Sequence, residues 1–301
     1  MRDQKDAPGI WGSMRTIDGV TTATEQFPLY DGSSLFVRSW RTASPDILLI
    51  LHGLGGHSGW YVDMGNELAA AGLTVYAVDH RGFGRSDGLE GHIDNYRTYV
   101  KDSVHLIEEI RRRHPQGRIH VLGHSMGGIF TAYLAADYGH LLAGAIFLNP
   151  WIADSARIPL GKTLAILSTG LLRSRRPWQV GNGHEGMTTN PEAIQMLEND
   201  PFWRRAQTAN FLVQILFMRL GVLKTAPRIT IPTLVLQAEE DRSVIAAATR
   251  TFYERLGSQD KTWTTYARYN HDSQFEADRS QLDADIIAWI RKHAGQFDGQ
   301  G

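Results

Sequence analysis

Residues 118–138 read RIHVLGHSMGGIFTAYLAADY, and this stretch decides the fold. Residues 118–122, with Ile119, Val121 and Leu122, read as a short strand, and 126–138 carry apolar residues at helical spacing. Between them Gly123-His124-Ser125-Met126-Gly127 is a G-x-S-x-G turn, continued by Gly128. A strand that turns tightly into a helix while presenting a strained serine needs small flanking residues, so bulk at Gly123 or Gly127 is expected to be poorly tolerated. A glycine-rich strand-to-helix turn with no chemistry is the blander alternative. The strand before the turn and the helix after it favour a nucleophilic Ser125.

Working outward, the same strand form recurs at 47–51 (ILLIL), 73–78, 143–148, 233–237 and 262–266, with helical spacing at 61–71, 96–113, 245–256 and 282–293. Continuous apolar runs such as 47–51 suit strands covered on both faces. Residues 25–30 and 34–40, around Asp31-Gly32-Ser33, predict an antiparallel hairpin. The alternation predicts an α/β architecture with a mostly parallel central sheet flanked by helices, whose ligands sit at the carboxyl ends of the strands. It fails from residue 150 to about 227, where helical stripes occur without a strand. Leu160, Leu164, Leu167 and Leu171 form one stripe; Phe211, Ile215, Phe217 and Leu220 form another. The expected organisation is therefore core 1–150, an inserted helical cap 151–226, and core 227–301.

A serine hydroxyl becomes a useful nucleophile when a base removes its proton, and the base needs a third group to hold its tautomer. Where a serine stands on this kind of turn, the partners follow in the order acid, then histidine, each just after a strand. Asp241, past the strand 231–238, stands far enough along to lie on the loop, with Glu239 and Glu240 as reserves. His271, past 262–266, is the expected base; the one later histidine, His293, ends a helix that reads as solvent-facing. The oxyanion needs backbone donors, for which Met126 N–H and Leu54 N–H are the candidates, the latter in the glycine-rich run His52-Gly53-Leu54-Gly55-Gly56. That run could instead be an anion-binding turn for phosphate, but neither the P-loop nor the dinucleotide fingerprint occurs. Metal binding has little support: there is no H-E-x-x-H, and His52 and His57 have no third ligand nearby in sequence.

Composition narrows the partners. The 301 residues suffice for a full core, and a formal charge of -1 creates no field to draw in nucleic acid, so none is expected. The absence of cysteine excludes disulfides and thiolate chemistry. The start, MRDQKDAPGIWGSM, lacks the apolar run of roughly 7 to 15 residues that a signal peptide needs. The apolar stretch 209–223 is broken by Asn210, Gln214 and Arg219, short of the roughly 20 residues of a membrane span. The expectation is a soluble, cytoplasmic protein without a transmembrane segment.

Three long motifs in register, His52-Gly53-Leu54-Gly55-Gly56-His57-Ser58-Gly59-Trp60-Tyr61, Asp79-His80-Arg81-Gly82-Phe83-Gly84-Arg85-Ser86-Asp87-Gly88 and the Ser125 turn, give the chain its resemblance to a known family. It resembles the monoacylglycerol lipase and lysophospholipase-like (serine aminopeptidase S33-type) branch of the α/β-hydrolases from about residue 25 to 290. The resemblance implies a triad of Ser125, Asp241 and His271, an oxyanion hole from Leu54 and Met126, no cofactor, and an apolar acyl site roofed by the cap. It implies a small-molecule ester or lipid as substrate, such as a monoacylglycerol. Two departures fall beside the base: 266–271 lacks the family's frequent glycine, and Asp272 stands where a Glu is common. The cap matches least. Gly53, Trp151, Ile152 and Leu164 are expected near the substrate, Arg173, Arg175 and Arg176 in a basic turn, and contact of the cap with a membrane surface is a further expectation. The same fold and triad are compatible with a lactone, amide, carbamate or carbon–carbon bond, and an inert ligand receptor is the alternative outside enzymology.

Overall fold

The computed structural model describes residues 11–155, 159–179 and 186–294. In chain order the first elements are β1 (Thr21–Pro28), β2 (Ser34–Arg41), β3 (Asp46–Leu51), α1 (Val62–Ala70), β4 (Thr74–Val78), α2 (Arg97–Arg113), β5 (Arg118–His124), α3 (Met126–Asp137) and β6 (Gly144–Leu148). The chain then leaves the sheet for α4 (Leu160–Leu171), β7 (Pro177–Gln179), α5 (Pro191–Asn199), β8 (Ala206–Thr208) and α6 (Ala209–Thr225). It returns with β9 (Thr233–Ala238), α7 (Ala246–Arg255), β10 (Lys261–Tyr266) and α8 (Ser280–His293).

Eight strands form one sheet in the order β1-β2-β4-β3-β5-β6-β9-β10. Only β2 runs against its neighbours; β4, β3, β5, β6, β9 and β10 pair in parallel. Alternate side chains of a strand face opposite sides, so a sheet packed on both faces needs apolar residues at every position. β3 shows the consequence: Ile47, Leu49 and Leu51 enter the core with α2, α3 and α6, whereas Leu48 and Ile50 enter the core with α1 and α8. The 47–51 run is thus a central strand, as its composition predicts.

Two expectations need correction. The segment between β6 and β9 was expected to hold no strand, yet β7 and β8 pair antiparallel, with Trp178 opposite Gln207. Three-residue strands are too short to display a period of two. His293 was expected to face solvent, but α8 buries it with Leu282, Ile286, Trp289 and Ile290. Its Nδ1 lies 2.6 Å from Trp289 O and its Nε2 lies 3.0 Å from Asp260 Oδ2, partners that satisfy a polar ring inside an apolar layer. The helix from Ala209 through the turn ending at Arg228 is long and apolar enough to cross a bilayer by composition. Here it buries Phe211, Ile215, Met218 and Val222 against the core.

Candidate active site

Four loops at the carboxyl edge of the sheet converge: those after β3, β5, β9 and β10. The loop after β5 is the most constrained. Ser125 has φ 52 and ψ -113, a conformation that a residue with a β-carbon adopts only under strain, of order 1–3 kcal/mol. Neighbouring glycines permit it. A β-carbon on Gly123 would lie 2.3 Å from Gly127 O, and one on Gly127 would lie 2.1 Å from Leu51 O, so α3 crosses the ends of β3 and β5 at backbone contact distance. Ser125 N–H donates to Leu148 O and its carbonyl accepts from Gly128 and Trp151, which hold the turn from both sides.

Ser125 Oγ lies 2.8 Å from His271 Nε2, and His271 Nδ1 lies 2.8 Å from Asp241 Oδ2. The second oxygen of Asp241 accepts from Ser243 and Val244 N–H at 2.8 and 2.9 Å. The three residues expected from their order in the chain therefore form one hydrogen-bonded line. Burial pushes the Asp241 carboxyl up, but the charge and hydrogen bond of His271 and the two N–H groups outweigh it and hold it below the usual carboxylate value. Burial pushes His271 down and is itself outweighed by Asp241, so the imidazole sits above its usual value. Glu239 and Glu240 are both exposed.

Met126 is the first residue of α3, where a helix leaves N–H groups without an intrahelical acceptor. Gly53 packs on the serine: a β-carbon there would lie 3.1 Å from Ser125 Cβ and 3.2 Å from His124 Nδ1. This contact brings Leu54 beside Ser125, and both line a cavity of about 450 Å³. His52 underpins the loop. Its Nδ1–H donates to Gly53 O at 2.7 Å, and its Nε2 accepts from His80 N–H at 2.9 Å. Burial drives His52 down to about 4, so it is neutral, in keeping with that pattern.

Several buried polar residues that the sequence does not single out hold the loops that carry Ser125, Asp241 and His271. Asn149, at φ 43, donates to His271 O at 2.6 Å and to Ser273 Oγ at 2.8 Å and accepts from Ala238 N–H at 2.7 Å, tying the ends of β6 and β9 to the histidine loop. His124 Nε2–H donates to the same carbonyl at 3.0 Å, so its Nδ1 accepts from Tyr61 O–H at 2.9 Å. Burial pushes His124 down to about 3. Burial also raises Asp272 to about 6; its N–H donates to Met187 O and its Oδ1 accepts from Gln274. The motif position of His124, beside the serine, was the available signal; Asn149 is marked only as a strand end.

The cavity is lined by the loops that carry Ser125 and His271 and by the segment between β6 and β9. Trp151, Ile166, Leu167, Trp203, Leu212, Ile215, Leu216 and Val244 supply its apolar lining, Arg204, Arg205, Arg219 and Arg242 also border it, and Gly53, Leu54, Ser125 and His271 line it too. Of the residues expected near the substrate, Gly53 and Trp151 line the cavity. Ile152 does not: it is buried in the core below the cap and is not part of the cavity lining. Leu164 does not either, since it lies on the outer face of α4 with 57% of its surface exposed. The inward face of α4 is Thr163, Ile166 and Leu167, with Gly170 against Ala209 and Val213 of α6, so the leucine stripe is mostly out of phase with the buried one. Glycine at 170 decides that phase, because a β-carbon there would lie 2.5 Å from Ala209 O. Among the described residues no group of three or more His, Asp or Glu could hold a metal ion.

Comparison with known proteins bears on this geometry. The serine aminopeptidase, S33 family matches residues 43–278. Monoglyceride lipase of Mus musculus is 30% identical over 246 residues, covering 80% of each chain. Monoacylglycerol lipase of Mycolicibacterium smegmatis is 26% identical over 254 residues, covering 82% of this chain and 88% of its own. In structure, a soluble variant of monoglyceride lipase from Saccharomyces cerevisiae, in complex with a substrate analog, is similar with a TM-score of 0.81 at 19% identity, over 94% of this chain and 97% of its own.

Proposed function

The chain belongs to the serine aminopeptidase, S33 family of α/β-hydrolases, and on that basis we propose that it cleaves carboxylic esters, of monoacylglycerol type or of other small to medium acyl groups, through an acyl-enzyme on Ser125. The observation that carries this reading is the line Asp241–His271–Ser125, with 2.8 Å at each step, whose Ser125 and His271 border a cavity lined largely by apolar side chains.

In the proposed reaction Ser125 Oγ attacks the ester carbonyl carbon as its proton passes to His271 Nε2. Asp241 holds Nδ1–H and stabilises the imidazolium. The carbonyl oxygen, now an anion, takes the N–H groups of Leu54 and Met126, a contribution of roughly 3–4 kcal/mol per donor in serine hydrolases of this kind. Collapse expels the alcohol, which receives the proton from His271. Water then repeats the sequence on the acyl-enzyme and releases the acid. The apolar wall from Trp151 to Val244 suits the acyl group, and burying each of its methylenes gains about 0.8 kcal/mol.

The outer face of the cap supports a further part of the reading, namely delivery from a lipid surface. Leu160, Leu164, Leu171, Leu172, Phe217 and Leu220 are exposed, Leu172 to 82%, and Arg173, Arg175 and Arg176 lie exposed beside them. An apolar patch edged by cations fits an anionic bilayer surface. The test of the central reading is hydrolysis of p-nitrophenyl esters from acetate to palmitate, and of monoacylglycerols, by the wild type and Ser125→Ala. Turnover lost in the variant is expected; full turnover in Ser125→Ala would rule out the serine mechanism.

A further inference from the structure

The run 52–61 contains His57 and Trp60, which the reaction above does not use, and both point at one cap residue. Asp200, at the end of α5, has a side chain only 1% exposed. Its Oδ2 accepts from His57 Nε2–H at 2.8 Å, Trp60 Nε1–H at 2.8 Å and Trp11 Nε1–H at 2.6 Å, and its Oδ1 accepts from Phe202 N–H at 2.8 Å. The proton on His57 follows from its other nitrogen: Nδ1 accepts from Gly59 N–H at 3.0 Å, so Nε2 carries the hydrogen. A buried carboxylate with four N–H donors converging on it is a fully satisfied network that holds all its members in one geometry.

Those members come from three places. His57 and Trp60 follow the oxyanion loop directly. Trp11, from the segment ahead of β1, also stacks on Phe275 at 4.7 Å and 17°, four residues beyond His271. Four residues after Asp200, Arg204 N–H donates to Gly55 O at 2.9 Å. Leu54 is thereby bracketed: His52 holds the carbonyl of Gly53 before it, Arg204, ahead of β8, holds the carbonyl of Gly55 after it, and Asp200 anchors the loop's exit at His57. An N–H donor misaimed by a fraction of an ångström loses much of its effect on a developing oxyanion.

We propose that Asp200 is a positioning residue for acyl transfer, a carboxylate lent by the cap that aims Leu54 N–H by gripping His57, Trp60 and Trp11. This rests on the serine hydrolase reading, since it concerns the oxyanion of that reaction. Asp200 touches no reacting atom, and its influence runs through the loop. Asparagine is nearly isosteric, but its amide nitrogen must face N–H groups in either orientation, so at least one donor loses its partner.

The test combines one readout that needs no turnover with two that do. In Asp200→Asn, amide hydrogen exchange in peptides covering 53–57 is expected to rise while that of β5 and β6 stays at the wild-type rate. Unchanged exchange at 53–57 would overturn the anchor whatever the activity. In the same variant, kcat for p-nitrophenyl butyrate and the rate of fluorophosphonate labelling of Ser125 are expected to fall about 10- to 100-fold, with KM within a few-fold. The preference for the ester over its thionoester should shrink, because a misaimed N–H discriminates oxygen from sulfur less well. A merely structural defect lowers both substrates in proportion, so an unchanged ester-to-thionoester ratio in a folded variant would overturn the positioning role. Should Asp200→Asn not fold, His57→Leu takes its place, with His57→Gln, whose amide N–H can replace Nε2–H, expected to restore the ratio; failure of either expectation has the same force. Wild type that neither hydrolyses ester nor labels marks failure of the hydrolase reading instead, and the exchange experiment still decides the anchor.

Discussion

Asn149→Ala is expected to cost on the order of 2–6 kcal/mol in stability through lost hydrogen bonds, and the structure shows where each part arises. Removing the amide leaves Ala238 N–H, buried at the end of β9, without its acceptor at 2.7 Å; an orphaned buried donor costs about 1–3 kcal/mol. The carbonyl of His271 loses Nδ2–H but keeps His124, and Ser273 Oγ loses Nδ2–H but still donates to Asn270 O. Each of those is an ordinary net hydrogen bond, about 0.5–1.5 kcal/mol. Residue 149 also sits at φ 43, where alanine is disfavoured by about 1–2 kcal/mol relative to a glycine. Asn149→Gly should therefore be the milder variant by about that last amount, although it loses the same hydrogen bonds. Urea denaturation of wild type and both variants measures the differences, and ester turnover below the transition should fall about tenfold or more, because the base loop has lost one of its two carbonyl ties. An Asn149→Ala protein within about 1 kcal/mol of wild type would refute the hydrogen-bond reasoning, and equal stability of the alanine and glycine variants would refute the backbone part.

Three other outcomes follow from the site and the cap. His271 must be neutral to accept a proton, so activity is lost as pH falls through its pKa; burial lowers that value but Asp241 outweighs it, so the acid limb of kcat/KM should lie above 6.5, and in Asp241→Asn it should move to lower pH while kcat drops by on the order of 10⁴-fold. An acid limb that stays in place in Asp241→Asn would count against this pairing. Leu167→Trp, inside the cavity, should shift the p-nitrophenyl ester optimum to shorter chains, whereas Leu164→Trp, on the outer face of α4, should leave it unchanged; the reverse result would mean that α4 is turned the other way. Leu171→Ser with Leu172→Ser should weaken sedimentation with phosphatidylglycerol vesicles by tenfold or more, given about 1.5–3 kcal/mol for a fully buried leucine, while p-nitrophenyl acetate turnover stays at the wild-type rate; equal sedimentation would rule out this patch as the contact.

The legible parts of this protein are those in which local sequence and tertiary demand coincide. The run 47–51 is apolar at every position because both faces of β3 are covered, and Gly123 and Gly127 are glycines because α3 meets β3 and β5 at backbone distance. Ser125, Asp241 and His271 could be ordered from the strands that precede them, since each stands just beyond a strand end. The cap was less legible because its helices are apolar on more than one side. On α4 the leucines at 160, 164 and 171 face outward, while the inner face depends on Gly170 meeting a carbonyl of α6, a contact that no periodicity encodes. His293 was misread for a related reason: a polar residue at a helix end resembles a surface residue until Asp260, from the other side of the chain, supplies its partner.

Asn149 and Asp200 share a property that explains why neither was predicted. Each is an ordinary polar residue whose meaning lies entirely in donors and acceptors far away in sequence: Asn149 joins residues 238, 271 and 273, and Asp200 joins 11, 57 and 60. The residues of the proposed triad can be inferred from their own chemistry, because nucleophile, base and acid are properties of side-chain type. Positioning is a property of the network, and a carboxylate or amide buried without its partners would be a liability of several kcal/mol rather than a support. These positions should therefore tolerate substitution less well than an exposed residue of the same type, for example Asp94, whose side chain is 73% exposed. The strained Ser125 makes this dependence acute. Its conformation opposes folding, so it persists only while Gly123, Gly127, the carbonyl of Leu148 and the loops tied by Asn149 over-determine the turn, and loosening any of them lets the serine relax away from His271.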